Sequence, residues 1–362
     1  MIPLFKVRMS KNVDKFVSPV LASGYIGQGS KVEEFEDALW KELKTLTRPI
    51  TVNSCTSAID LALELIGVGP GDEVISTPQT CFATQVGAIK RGARIRWADI
   101  DPLTGLINPT SVGLLITDKT KAILAVNWAG SFCDFKALKS FGVPVIEDAA
   151  HTWDTFLDES AKPERGDYIC YSLQAIKFLT SADGGLLVTP IDKESEARLL
   201  RWYGLDRTKN ESFRCAQDIG SVGFKYHMND VNAAIGLANI PEARESVIQH
   251  RTNAKYLLNN LETLSYAKLA PYDLTSSYWF FPIVLNDELD RDLFSEYLSS
   301  NGVASSPVHY RNDRYSSTMK FAEDLLPGVE IFSNQQINVP CGWWTTTDEL
   351  DHIINILKNY EV

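Results

Sequence analysis

Apolar positions between Lys31 and Leu46 recur at Val32, Phe35, Leu39, Leu43 and Leu46, a spacing that gathers them on one face of a helix. A second helix is expected from Thr56-Ser57 through Ile59, Leu61, Leu63 and Leu65, stopped by the breaker Gly67-Val-Gly-Pro-Gly71. That glycine-rich run follows a helix and precedes a strand. This is the reverse of the order a dinucleotide loop needs, so it reads as a connecting turn. Short apolar runs at Glu73–Ser76, Arg94–Trp97, Lys121–Val126, Val143–Ile146 and Tyr168–Tyr171 read as strands, with helices expected over Phe82–Lys90 and Asp134–Phe141. Strands that alternate with helices predict an α/β domain built on a mostly parallel sheet.

Beyond Asn229 the pattern changes. A helix is expected from Asn229, ended by Pro241, and then a long helix from about Glu242 to Leu264. A strand at Tyr278–Leu285 and helices at Glu288–Ser300 and Thr347–Tyr360 complete a smaller α+β unit. The expected division is 1–240 for the large domain and 241–362 for the small one.

Composition narrows the function classes. The chain has 362 residues, 44% of them hydrophobic and 22% charged, which suits a folded protein with a sizeable core. Its formal charge of −11 argues against non-specific nucleic-acid binding. No apolar run approaches the roughly 20 residues of a membrane span. The first residues carry no signal-like apolar segment, so the expected location is the cytoplasm. The six cysteines are scattered without a C-x-x-C pair and read as reduced thiols. The five histidines form no close metal-binding spacing, and no metal is expected.

Three features carry candidate chemistry. Asn53-Ser-Cys-Thr-Ser-Ala58 opens a helix, and its hydroxyls and free N–H groups serve either as a plain cap or as a phosphate cradle. The strand Val143–Ile146 runs into Glu147 and Asp148, at the strand end where open parallel sheets bind ligands. Asp148 there is a helix cap or the partner of a cationic ring nitrogen or a metal. Lys177 lies between Ile176 and Phe178, before Gly184-Gly185. Such a lysine either snorkels or loses its charge and becomes a nucleophile. Taken together, in this order, a phosphate cradle, a strand-end Asp and an apolar Lys are what pyridoxal 5'-phosphate requires.

The chain resembles the DegT/DnrJ/StrS-type sugar aminotransferases, pyridoxal-phosphate enzymes of fold type I. The likeness rests on Ser23-Gly-Tyr-Ile-Gly-Gln-Gly29, Asn53–Ala58, Gly69-Pro-Gly-Asp-Glu-Val-Ile75 and Trp97-Ala-Asp-Ile-Asp101. It continues through Pro144–His151, Tyr171–Lys177 with Asp183-Gly-Gly185, and Gly223–Gly236. The resemblance implies a three-layer α/β/α large domain and a smaller α+β C-terminal domain. It also implies that Lys177 holds the cofactor aldehyde as a Schiff base and moves protons, and that Asp148 pairs with the ring nitrogen. Thr56, Ser57 and Ser172 would bind the phosphate, and His151 and Phe82 or Cys81 would contact the ring. The Gly223–Asn229 segment, with Lys225 and His227 at positions often filled by Asn and Arg, would reach the site of a homodimer partner. Tyr25, Gln174, His309, Tyr310 and Arg311 are the expected substrate contacts.

The implied reaction takes a nucleotide-linked keto-sugar, with carbon 4 favoured, to the amino-sugar, using L-glutamate and releasing 2-oxoglutarate. Two other readings stay in view. A pyridoxamine-dependent sugar dehydratase carries His where this chain has Lys177, and a non-catalytic binder would lack part of the Lys, Asp and phosphate-donor set. The basic cluster Arg198, Arg201, Arg207, Lys209 and Arg214, interleaved with Trp202 and Tyr203, could grip a nucleotide diphosphate or form a solvated face.

Overall fold

The computed structural model describes residues 1–154, 162–209, 216–262, 264–321 and 325–360. Its strands, in chain order, are β1 (Ile50–Val52), β2 (Glu73–Ser76), β3 (Arg94–Trp97), β4 (Thr120–Val126), β5 (Val145–Asp148), β6 (Tyr168–Ser172) and β7 (Gly185–Val188). They form one sheet in the order β1-β7-β6-β5-β4-β2-β3. The run from β3 to β6 is parallel, and β7 is antiparallel to both its neighbours. Two reversals leave β1 pointing the same way as β6.

The helices are α1 (Val13–Ser23), α2 (Ser30–Leu43), α3 (Cys55–Ile66), α4 (Ala83–Lys90), α5 (Pro109–Leu115), α6 (Phe135–Lys139), α7 (Glu194–Leu200), α8 (Asp230–Leu261), α9 (Arg291–Ser300), α10 (Pro327–Gln335) and α11 (Thr347–Lys358). Alternate residues of the central strands feed two cores. Val74, Leu124 and Val126 join α2, α3 and the first half of α8 in one cluster, whereas Ile75, Ile123 and Ala125 join α5 and α6 in another. Helices on both faces explain why these strands read as unbroken apolar runs.

A second sheet, β10-β9-β8, is antiparallel and made of β8 (Ala267–Lys268), β9 (Phe281–Leu285) and β10 (Gln336–Val339). Its core takes Leu257 and Leu261 from α8, Phe294 and Leu298 from α9, and Ile353 and Leu357 from α11. Ile2 also lies there, bridged to Val303, so the chain's first residues pack against its C-terminal third.

One sequence expectation is corrected. Pro241 does not end a helix, because α8 runs unbroken from Asp230 to Leu261 with the proline inside. Proline removes one backbone donor and crowds the preceding turn. Here buried Ala233 before it and Ala243 and Val247 after it pack the turns on both sides of the proline onto the same core. Asn239, two residues before the proline, donates to the Thr180 carbonyl and accepts from the N–H of Ser10, which pins the helix at that level. Among the described residues no helix is long and apolar enough to cross a membrane.

Candidate active site

The sheet order brings the candidate residues to one edge. Thr80–Phe82 follow β2, Trp128 follows β4, Asp148 ends β5 and Lys177 follows β6, all at the carboxyl ends of parallel strands. β1 points the same way, so the start of α3 opens onto the same edge. Ser172 stands opposite Gly185, which in turn stands opposite Val52. Ser172 is therefore one strand removed from the turn into α3. A Cβ at Gly185 would lie 2.5 Å from the Ser54 carbonyl carbon and oxygen, so a glycine is what admits this close approach.

The acids that end β5 face opposite ways, as neighbours in a strand must. Glu147 accepts from Asn127 at 2.7 Å and from Arg165, whose guanidinium also pairs with Asp154. Asp148 accepts from the Thr84 hydroxyl at 2.9 Å and from the Ala150 N–H at 3.1 Å, and the Cys55 thiol lies 3.9 Å from it. Burial raises the pKa of Asp148, opposed by those hydrogen bonds and by the charge of Lys177. No cation lies at hydrogen-bonding distance from its carboxylate among the described residues. A protonated ring nitrogen would complete it.

At the start of α3 the Ser54 hydroxyl accepts from the Ser57 N–H at 3.1 Å, and the Ser57 hydroxyl donates to Asn53 at 2.6 Å. The Cys55 and Thr56 N–H groups come before the first helical acceptor and point outward from the positive end of the helix. Lys177 is presented by a turn in which its N–H donates to the Gln174 carbonyl, while the Gln174 side chain accepts from the Ile176 N–H. Burial pulls the Lys177 ammonium down to about 8, against the attraction of Asp148. Its Nζ lies 3.4 Å from the centroid of the Trp279 ring.

His151 stacks on Trp279 at 4.1 Å and lies parallel to His309 at 5.7 Å. Burial, with Lys177 nearby, holds both imidazoles below their ordinary range, His309 at about 4. His151 Nδ1 and His309 Nε2 are buried without a hydrogen-bond partner. A cavity of about 320 Å³ opens beside His309 and Tyr310 and is lined also by Arg291, Arg314 and Asn334.

Other expected residues stand apart in this chain. Phe82 packs edge-on against Tyr315, 5.4 Å between centroids, whereas Cys81 is near enough to Lys177 for their charges to interact. Arg311 is buried, bonded to Asp313 at 2.6 Å and to Glu330. Tyr25 is 61% exposed beside Gly29. Lys225 is exposed, with its carbonyl accepting from Asn53 at the rim of the α3 turn. His227 stacks on Trp202. In the basic cluster, Arg198 and Arg201 pair with Glu36 at 2.8 and 2.6 Å, Arg207 lies over Trp202, and Arg214 is outside the described residues. Sequence reasoning missed Thr84, Cys55 and Trp279. The Thr80/Thr84 pair at helical spacing was the one local signal available.

A family model of the DegT/DnrJ/EryC1/StrS aminotransferases matches residues 8–358. The chain belongs to that family. Among solved structures the aminotransferase is similar to AtS13 from Actinomadura melliaura, with 35% identity, a TM-score of 0.93 and coverage of 100% of this chain and 99% of that one. It is also similar to the sugar aminotransferase CalS13 from Micromonospora echinospora, with 31% identity, a TM-score of 0.92 and full coverage of both chains. The PLP-form of a putative sugar aminotransferase, Spr1654 from Streptococcus pneumoniae, is 25% identical over 99% of this chain and 97% of that one, with a TM-score of 0.86. The aminotransferase is thus a pyridoxal-phosphate enzyme of fold type I. The residues present suit that group: an open helix start for a phosphate, a buried carboxylate for the ring nitrogen and an amine of lowered pKa for the aldehyde.

Proposed function

We propose that this aminotransferase moves an amino group from L-glutamate to the keto group, at carbon 4, of a nucleotide-linked sugar and releases 2-oxoglutarate. The observation that carries the reading is Lys177, an amine drawn down to about 8 within reach of the buried Asp148 charge. Its presence argues against the dehydratase chemistry that uses His at this position. The similarity to CalS13, described as a sugar aminotransferase, supports a sugar substrate.

Pyridoxal phosphate, when bound, supplies an electron sink for the carbon that loses its proton. Asp148 would keep the ring nitrogen protonated, Thr56, Ser57 and Ser172 would hold the phosphate, and Lys225 would reach the cofactor in the site of the partner copy. His151, with Cys81 or Phe82, would contact the ring. Lys177 would hold the aldehyde, and its Nζ, when free, would take up and give back the proton at the reacting carbon of the substrate. Tyr25, Gln174, His309, Tyr310 and Arg311 contact the sugar nucleotide.

The working unit is a homodimer with shared sites, in the cytoplasm, each chain divided near residue 240. Exposed Phe16, Leu21, Tyr25 and Ile26 on one segment, and Ile219, Val222 and Phe224 on another, support an apolar contact between copies. Mixing the cofactor-loaded protein with L-glutamate alone tests the first half. The absorbance of the pyridoxal form is expected to give way to that of the pyridoxamine form, with one 2-oxoglutarate released per site. An unchanged spectrum would rule out glutamate. Keto-sugar nucleotides are then screened by mass spectrometry for a gain of the amino group.

A further inference from the structure

Trp279 stands just before β9, 4% exposed and 103 residues along the chain from Ile176, and no step of the proposed reaction uses it. Its indole N–H donates to the Ile176 carbonyl at 3.2 Å, while Lys177 Nζ lies over the face of the same ring, 3.4 Å from the centroid. One side chain therefore grips both the backbone before the lysine and the far end of the lysine itself. The ring is in turn fixed. His151 stacks on it at 4.1 Å, Phe5 lies against it at 4.6 Å, and the backbone N–H of Trp279 donates to the Ala129 carbonyl at 2.8 Å. Gly130, at φ +96°, makes this docking possible, since a Cβ there would come within 2.9 Å of the His151 carbonyl oxygen and the Tyr278 nitrogen.

We infer that Trp279 is a positioning residue, the face on which the free Lys177 amine rests whenever it is not bonded to the cofactor. The inference rests on the function proposed above, in which the lysine is released and recaptured in every cycle. A released lysyl side chain has many rotamers, and holding its amine near the reacting carbon preserves the orientation on which rate depends. An aromatic face attracts an ammonium, and does so most strongly where water is excluded. Among the described residues the other side chains that act on Nζ are ionisable: Asp148 from β5, the thiols of Cys55 and Cys81, and the imidazoles of His151 and His309. The indole alone favours the ammonium without changing its own charge.

The test compares wild type, Trp279→Phe and Trp279→Leu, each stripped of cofactor and also loaded with pyridoxamine phosphate, in which Lys177 is unbonded. Trace acetylation with acetic anhydride across pH, read by mass spectrometry on the peptide holding Lys177, gives the midpoint of its titration. Leu keeps water out but has no aromatic face, so the midpoint is expected to fall by about one unit, with about five-fold faster labelling at pH 7. Phe, a weaker face, is expected to give a smaller fall and decides the matter should the Leu variant not fold. Unchanged midpoints would overturn the inference. So would a rise, which would show that the ring only excludes water. A wild-type protein inert toward glutamate would refute the proposed function and leave the labelling result in the stripped protein to be judged separately.

Discussion

The hydroxyl of Thr84 donates to Oδ2 of Asp148 at 2.9 Å, and the Thr80 hydroxyl, one helical turn earlier, lies 3.1 Å from it. This bond favours the ionised carboxylate against the burial that raises its pKa. Thr84→Val removes the donor and pushes Asp148 further toward its neutral form. Affinity for pyridoxal phosphate is expected to fall about ten-fold, equivalent to about 1.4 kcal/mol for one hydrogen bond to a charged group. Cofactor titration across pH measures it, and Thr84→Ser should restore binding.

Asp148→Asn takes away the anion that favours the Lys177 ammonium. The Lys177 midpoint should then drop below its value of about 8. Amino transfer should fall by about 100-fold or more, because the ring nitrogen loses the charge that keeps it protonated. The acetylation profile and the glutamate half-reaction report these two effects separately.

Glu36 lies on the buried face of α2 and accepts from Arg201 at 2.6 Å, from Arg198 at 2.8 Å and from the Thr51 N–H at 3.0 Å. Burial raises its pKa, but the two guanidinium groups outweigh that and hold it at about 2. The unfolded carboxyl titrates near 4.5, so this stabilisation is complete above that pH and is lost as the pH falls toward 2. Glu36→Gln leaves the buried Arg201 without its carboxylate, while Arg198 keeps Glu194, and is expected to cost about 3 kcal/mol. Thermal unfolding at pH 7 checks the loss.

His250 donates no charge to the fold: it is buried, bonded at 2.7 Å through Nδ1 to the Tyr278 carbonyl, and held at about 4 by burial. The unfolded imidazole takes a proton near 6.5, so acidification from there toward pH 4 favours the unfolded chain, by on the order of 3 kcal/mol over that range. His250→Asn keeps a donor for Tyr278 but cannot titrate. Its melting temperature should fall less steeply between pH 6.5 and 4 than that of the wild type.

His309 stands beside the 320 Å³ cavity, parallel to His151. His309→Ala is expected to raise the KM for the sugar nucleotide about ten-fold or more while the glutamate half-reaction keeps its rate. Equal losses in both half-reactions would assign the ring to the shared machinery instead.

Much of the site was legible in the sequence, for a topological reason. Asp148 and Lys177 each sit where a short apolar run stops, and in a parallel sheet such stops meet at one edge. The signal failed where the partner is distant in the chain. Arg198 and Arg201 read as an open basic cluster, but Glu36 closes them from more than 160 residues away. Trp279 lay within a run that simply read as strand. Pro241 carried a strong local instruction to stop, and packing on both sides of it prevailed. β1 is only three residues long, and the apolar run of β7 went unmarked although it is as long as β2 and β3.

The row Val52, Gly185 and Ser172 couples cofactor capture to the order of folding. Its first and second members are separated by most of the large sheet's chain, and pairing at such separation is slow to form. Until β7 has slotted between β1 and β6, the helix start and the serine beside it remain apart. On the proposed cofactor site, uptake of the vitamin-derived group by a refolding chain would therefore report that this long-range closure is complete.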